Sequence, residues 1–153
     1  MSAISLLKRD HDSLKALLRE LESTTERGVK TRTELFERIK RELTVHEAIE
    51  EEIFYPTLKQ HPRAREIVLE GYEEHDVVNI LLGELEALPV DDETWGPKAT
   101  VMIENIEHHI EEEETDMFKK AQQVFDDQEL DELGDVMAER KAELVPQVRA
   151  GRV

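Results

Sequence analysis

Apolar side chains recur along this chain at steps of three and four, and each of the resulting stripes is interrupted near its middle by a histidine. Ile4, Leu7, His11, Leu14, Leu18 and Leu21 form the first stripe, the period of one buried helical face. Ser2 or Ser5 is placed to cap its start, and Gly28 to end it. Phe36, Ile39, Leu43, His46, Glu50, Ile53 and Thr57 form the second; Pro56 is expected to kink its last turn and His61-Pro62 to close it. Val68, Gly71, His75, Val78, Leu82 and Leu85 form the third, ended by Pro89 and Asp91-Asp92. Ala99, Met102, Ile106, His109 and Glu113 form the fourth, entered through Trp95-Gly96-Pro97. A shorter fifth helix is predicted over 128–145, with Leu130, Leu133, Met137 and Leu144 on one side.

Long helices joined by short loops favour antiparallel neighbours, so the pattern predicts an all-α, up-down-up-down four-helix bundle over about 3–124 with a short fifth helix after it. At 153 residues the chain is read as one domain, 1–153. Counting outward from the predicted turns near residues 28, 61 and 91, the four histidines fall at matching heights, within about 1.5–3 Å at ~1.5 Å rise per residue. They form one layer across the bundle.

The layer also repeats. Asp10-His11-Asp12 returns as Glu74-His75-Asp76, 64 residues on, and His46 with Glu50 returns as His109 with Glu113, 63 residues on. A histidine and a glutamate four apart project from one helical face. A carboxylate buried in an apolar seam costs several kcal/mol unless it meets positive charge. Four imidazoles and two carboxylates at one height are enough ligands for a metal pair, and a set without thiolate suits iron or another first-row divalent ion. The acidic runs Glu50-Glu51-Glu52 and Glu111 to Glu114 otherwise read as solvated faces, His108 as a surface residue and His61 as an exposed turn residue. Asp12 and Asp76 stand equally as acceptors orienting an imidazole or as surface groups. Glu47 reads first as a salt-bridge partner and Tyr72 as core, each with a possible place as an additional metal ligand.

Composition narrows the partners. The 37 Asp and Glu against 20 Lys and Arg leave a net charge of −17, which repels phosphate backbones and argues against nucleic acid. With no cysteine, disulfides, thiolate zinc sites and Cys-ligated iron–sulfur clusters are excluded. No apolar run approaches the ~20 residues of a membrane span, and the first residues lack a signal-peptide pattern, so a soluble, cytoplasmic, monomeric protein is expected.

Asp10-His11, His46-Glu-Ala-Ile-Glu50-Glu-Glu-Ile-Phe-Tyr-Pro56, Glu74-His75-Asp76 and His108-His109-Ile-Glu-Glu-Glu113-Glu together resemble the hemerythrin-like (HHE cation-binding) family, over about residues 3 to 145. The resemblance implies a left-handed bundle holding two iron ions, a non-heme di-iron centre bridged by oxo or hydroxo. His11, His46, His75 and His109 would be terminal ligands, and Glu50 and Glu113 bridging carboxylates. Oxygen-carrying members supply five histidines, two from the third helix a turn apart. Here the neighbours of His75 on that face are Gly71 or Tyr72 and Asn79, so one iron is expected to carry an open site, a water, or oxygen from Tyr72 or Glu47. Lys119 stands where many relatives have proline. The implied activity is binding or reduction of a small oxidant, a diatomic such as O2 or nitric oxide, or peroxide, whether or not turnover is enzymatic. The alternative is an iron- or oxygen-responsive regulatory bundle without turnover. Ferritin-like chemistry is disfavoured because its Glu-x-x-His motif is absent: Lys8, Leu43, Tyr72 and Ile106 precede the four histidines by three. A metal-free interaction module is the remaining reading.

Overall fold

A computed structural model describes residues 1–151; the expected domain end at residues 152–153 lies outside them. The first rod is α1 (Ala3–Glu22), with the Ser2 hydroxyl accepting from the Ser5 amide at its start. Gly28 does not end this helix, which stops at Glu22; it precedes α2 (Val29–Ile49). The second rod continues from α2 through a π-helical turn (Glu50–Phe54) into α3 (Tyr55–Lys59). Pro56 sits in the first turn of α3, where its missing N–H costs little. Pro62 likewise opens the third rod, α4 (Pro62–Ala87). The fourth rod is α5 (Trp95–Glu112), a second π-helical turn (Glu113–Met117) and α6 (Phe118–Val124).

These rods form the up-down-up-down antiparallel bundle, with a fifth helix, α7 (Asp127–Arg149), laid against α1 and α2. At 23 residues α7 is longer than α1 and overruns the predicted 128–145, because Pro146 is accommodated inside it. A reciprocal cap between Asp126 and Glu129 starts it. Gly134 lets α7 lie on the chain's first residues: a Cβ there would fall 2.0 Å from the Met1 carbonyl oxygen.

The core is split in two. Leu7, Ile49, Phe54, Val68 and Met117 belong to one apolar cluster, together with Met137 and Leu144 of α7. Leu14, Leu43, Val78, Trp95 and Ile106 belong to the other. On every rod a histidine marks the change from one cluster to the next: His11 between Leu7 and Leu14, His46 between Leu43 and Ile49, His75 between Val68 and Val78, His109 between Ile106 and Met117. No helix among the described residues is long and apolar enough to cross a membrane.

Candidate metal centre

Between the clusters, six polar side chains are buried together: His11, His46, Glu50, His75, His109 and Glu113, none more than 7% exposed. The His11 and His46 rings stand edge to face with centroids 4.9 Å apart, and His75 and His109 do the same at 4.8 Å. Each imidazole aims Nε2 inward. His11 Nε2 is 3.0 Å from Glu113 Oε1; His46 and His75 Nε2 are each 3.2 Å from Glu50 Oε1; His109 Nε2 is 3.2 Å from Glu113 Oε2. Two sets of ligand atoms result. His11, His46, Glu50 and Glu113 converge within 4.8 Å of one another, and so do Glu50, His75, His109 and Glu113. Both carboxylates belong to both sets.

The outward nitrogens are equally ordered. Nδ1 donates to Glu114 from His11 (2.7 Å), to Asp10 from His46 (2.9 Å), to Glu51 from His75 (2.8 Å) and to Glu74 from His109 (2.7 Å). Every acceptor adjoins an inner residue in sequence: Asp10 and Glu74 precede His11 and His75, while Glu51 and Glu114 follow Glu50 and Glu113. The first and third rods thus present one group inward and the second and fourth present two, and each rod lends the sequence neighbour of an inner residue to an imidazole on another rod. A carboxylate on Nδ1–H fixes the tautomer that leaves the Nε2 lone pair facing inward. Asp12 and Asp76, weighed for this role, are exposed. Lys141 of α7 also bonds Asp10, so the fifth helix reaches the layer through one acceptor.

The π-helical turns begin at Glu50 and Glu113. In each, the amide five residues on closes the turn, Tyr55 N–H to the Glu50 carbonyl and Phe118 N–H to that of Glu113. The extra residue in the turn returns position i+5 to the face of i, a register an α-helix does not allow. Both aromatic rings consequently cover an imidazole: Tyr55 stacks on His75 at 5.3 Å and 19°, Phe118 on His11 at 5.9 Å and 5°. The Tyr55 hydroxyl donates to Glu113 Oε2 at 2.6 Å and lies 3.4 Å from Nε2 of both His75 and His109. Gly71 leaves the space for it, since a Cβ there would be 2.9 Å from the Tyr55 oxygen.

Tyr55 is the oxygen donor absent from the sequence reading. Its offset of five from Glu50 is off-face in an α-helix, so the one available signal was the glycine one turn before His75, which leaves room for a group from another rod. Tyr72, the tyrosine considered instead, is half-buried, packs edge-on against the Tyr55 ring at 5.2 Å and carries Lys59 over its own ring, on the rim of a surface cleft. Glu47 is buried beside His75 and Glu51, outside both inner sets. His108 is exposed, and His61 is half-buried, its ring edge-on to Phe125 at 5.1 Å.

Electrostatics couple the imidazoles to the two carboxylates between them. Burial alone would lower the pKa of His46 and of His109, but Glu50 and Glu113 respectively hold them well above the ordinary imidazole value. Burial opposes the same rise at His75, which Glu50 and Glu51 carry to about 9. Glu113 is held well below the usual carboxylate range against its own burial, by His109 and then His11. Burial, then Glu113 and Glu50, push the Tyr55 hydroxyl well above the ordinary phenol value. Even so, His11 Nε2, His46 Nε2, both Glu50 oxygens and Glu113 Oε1 are buried without an aligned hydrogen bond. Buried polar atoms rarely go unpartnered. All five belong to one ligand set, His11, His46, Glu50 and Glu113, which fits a bound cation.

The comparisons agree with this geometry. The Hemerythrin HHE cation binding domain model matches residues 2–121. An uncharacterized protein of Mycobacterium tuberculosis, Rv2633c, and one of Mycobacterium bovis, Mb2666c, are each 34% identical over 153 residues, spanning 94% of this chain and 88% of theirs. The crystal structure of an HHE cation binding domain-containing protein of Mycobacterium kansasii, an Rv2633c homolog, superposes with a TM-score of 0.88 at 27% identity, over 100% of this chain and 95% of that one. A buried histidine–glutamate layer at the middle of a four-helix bundle, and the match over most of its length, place this chain in the hemerythrin HHE cation-binding domain family.

Proposed function

We propose that the chain is a non-heme di-iron protein that binds or reduces a small oxidant: O2, peroxide or nitric oxide. Glu50 and Glu113 are assigned as bridging carboxylates, with His11 and His46 as terminal ligands on one side and His75 and His109 on the other. The observation that carries this reading is the pair of four-residue ligand sets sharing both carboxylates. Imidazole and carboxylate without thiolate suit a first-row metal such as iron. Tyr55 is assigned to the His75–His109 side, its oxygen near the place a longer side chain at position 71 would take.

When bound, an iron pair supplies the electrons of a two-electron reduction. The protein's own residues select and position the reactant. Leu14, Leu43, Val78, Ile106 and Ile110 wall a cavity of about 10 Å³ that opens onto His46, His75 and His109. A cavity of this scale suits a reactant of one or two heavy atoms and excludes larger organic substrates. Glu47 lines the same cavity. Burial raises its carboxyl above the ordinary range, with His75 pulling the other way, and its place on the cavity wall makes it the candidate proton donor to the reactant.

The test is iron quantitation, with optical spectra of the reduced protein mixed separately with each oxidant. Two irons per chain and a spectral change with at least one oxidant are expected. A purified protein that takes up no iron, or spectra indifferent to all three, would overturn the reading.

A further inference from the structure

In a chain where Asp and Glu outnumber Lys and Arg 37 to 20, one cleft has the opposite sign. It has a volume of about 480 Å³ and lies between α1, α2 and α7. Arg9, Arg38, Arg41, Lys141 and Arg149 line it, against two carboxylates, Asp10 and Glu42. Both carboxylates are engaged. Asp10 takes His46 and Lys141, while Glu42 accepts from the Ser13 hydroxyl at 3.1 Å and stands 3.8 Å from Arg38 Nε. Among the described residues, Arg9, Arg41 and Arg149 pair with no carboxylate.

Between the cations the lining is hydrocarbon: Leu14, Val45 and Val148 are buried and Val145 is half-buried. Cations gathered around one concavity repel one another unless an anion sits among them. Guanidinium groups are suited to carboxylate and phosphate, which they grip through paired N–H donors. The volume falls within the roughly 300–1,000 Å³ of small-molecule sites. A nucleic acid or a membrane fits poorly, because the concavity is small and the surrounding protein is strongly acidic.

We propose that this cleft binds a small organic anion, its carboxylate or phosphate on the arginines and its hydrocarbon body against Leu14, Val45, Val145 and Val148. The ligand would lie beside Lys141 and Asp10, one hydrogen bond from His46. The inference is independent of which oxidant the centre takes.

Isothermal titration of the iron-loaded protein tests it, with octyl phosphate and octanoate as probes. Inorganic phosphate supplies a head without a body, octanol a body without charge, and octylammonium the wrong charge. At least one of the two amphipathic anions is expected to bind once per chain, and the tighter of them identifies the head group. Inorganic phosphate and octanol should bind at least about tenfold more weakly, and octylammonium not at all. The exposed pair R9Q/R41Q should weaken the tighter anion by at least about tenfold with iron content and helicity unchanged. Octylammonium binding as well as the anions, binding without saturation, or an affinity that ignores R9Q/R41Q would each overturn the proposal.

Discussion

The two halves of the layer are near copies that differ at the positions touching the imidazoles. The pairs His11–Glu113 and His46–Glu50 repeat as His75–Glu50 and His109–Glu113, and the outer acceptors repeat as well, Asp10 as Glu74 and Glu51 as Glu114. Around this shared frame the first half has Leu7 one turn before His11 and Phe118 over its ring. The second has Gly71 one turn before His75 and Tyr55 over its ring. In the second half no side chain leaves the helix at this position, and the Tyr55 hydroxyl from the neighbouring rod takes the place a Cβ would have. Pro56 follows Tyr55 where Lys119 follows Phe118, and Glu47 lines the small cavity where Ile110 lines it from the other half. Ligands are thus held common, while the oxygen-bearing and titratable groups collect in one half. The comparison teaches that a duplicated frame can present chemically unlike faces to two equivalent positions.

The frame is most easily broken at what the halves share. Glu50→Ala and Glu113→Ala each remove a group common to both ligand sets, so either should abolish iron loading on both sides, measured as iron per chain. A variant keeping two irons would show that the halves do not depend on common carboxylates.

Proton binding acts on both halves at once. In the metal-free fold His75 titrates at about 9 against an ordinary 6.5. A raised folded pKa gives stability that is whole below pH 6.5 and lost as pH climbs through 9, roughly 3 kcal/mol for this group. His46 and His109 shift the same way. Glu113, held low, works oppositely and gives up its contribution on acidification below the ordinary carboxylate range. Denaturant unfolding of metal-free protein should therefore weaken between pH 6.5 and 9, while iron affinity rises across that window as imidazoles shed protons. A flat stability profile would contradict the inward-facing imidazolium–carboxylate pairs.

Asp10→Asn and Glu74→Gln compare the matched outer acceptors. Each should weaken iron binding about 10- to 100-fold by competition with a chelator. Asp10→Asn is expected to cost more, because it also strands Lys141. Equal losses would mean that α7 contributes nothing to the layer.

The smallest effect on binding is the most diagnostic. Tyr55→Phe makes the two halves alike over their imidazoles, so it should keep two irons per chain yet lose any phenolate-to-iron absorption in the visible. An unchanged spectrum would separate the hydroxyl from the metal.

The six inner residues were legible because four α-helical seams, each interrupted by a histidine and two of them also by a glutamate one turn on, can be aligned by counting. Tyr55 was not, since five residues from Glu50 is off-face in any α-helix and no local pattern announced the wider turn. The outer acceptors escaped for a related reason. Asp10 and Glu74 serve imidazoles on other rods, and recurrence along the chain favoured Asp12 and Asp76 just as well. The full length of α7 was hidden by Pro146, which reads as a terminus in a sequence and lies inside the helix in the fold.

The π-helical turns make the centre tolerant of a kind of change that substitutions never sample. Loss of a single codon within either turn would let it relax to ordinary helical pitch, with every ligand retained. Tyr55 or Phe118 would then follow its glutamate by four residues of ordinary helix, about 40° from it around the rod axis, so the ring keeps its place over the imidazole. A chain of this fold with one residue fewer between glutamate and aromatic would therefore carry the same ring at the same imidazole, with the histidine–glutamate signature intact.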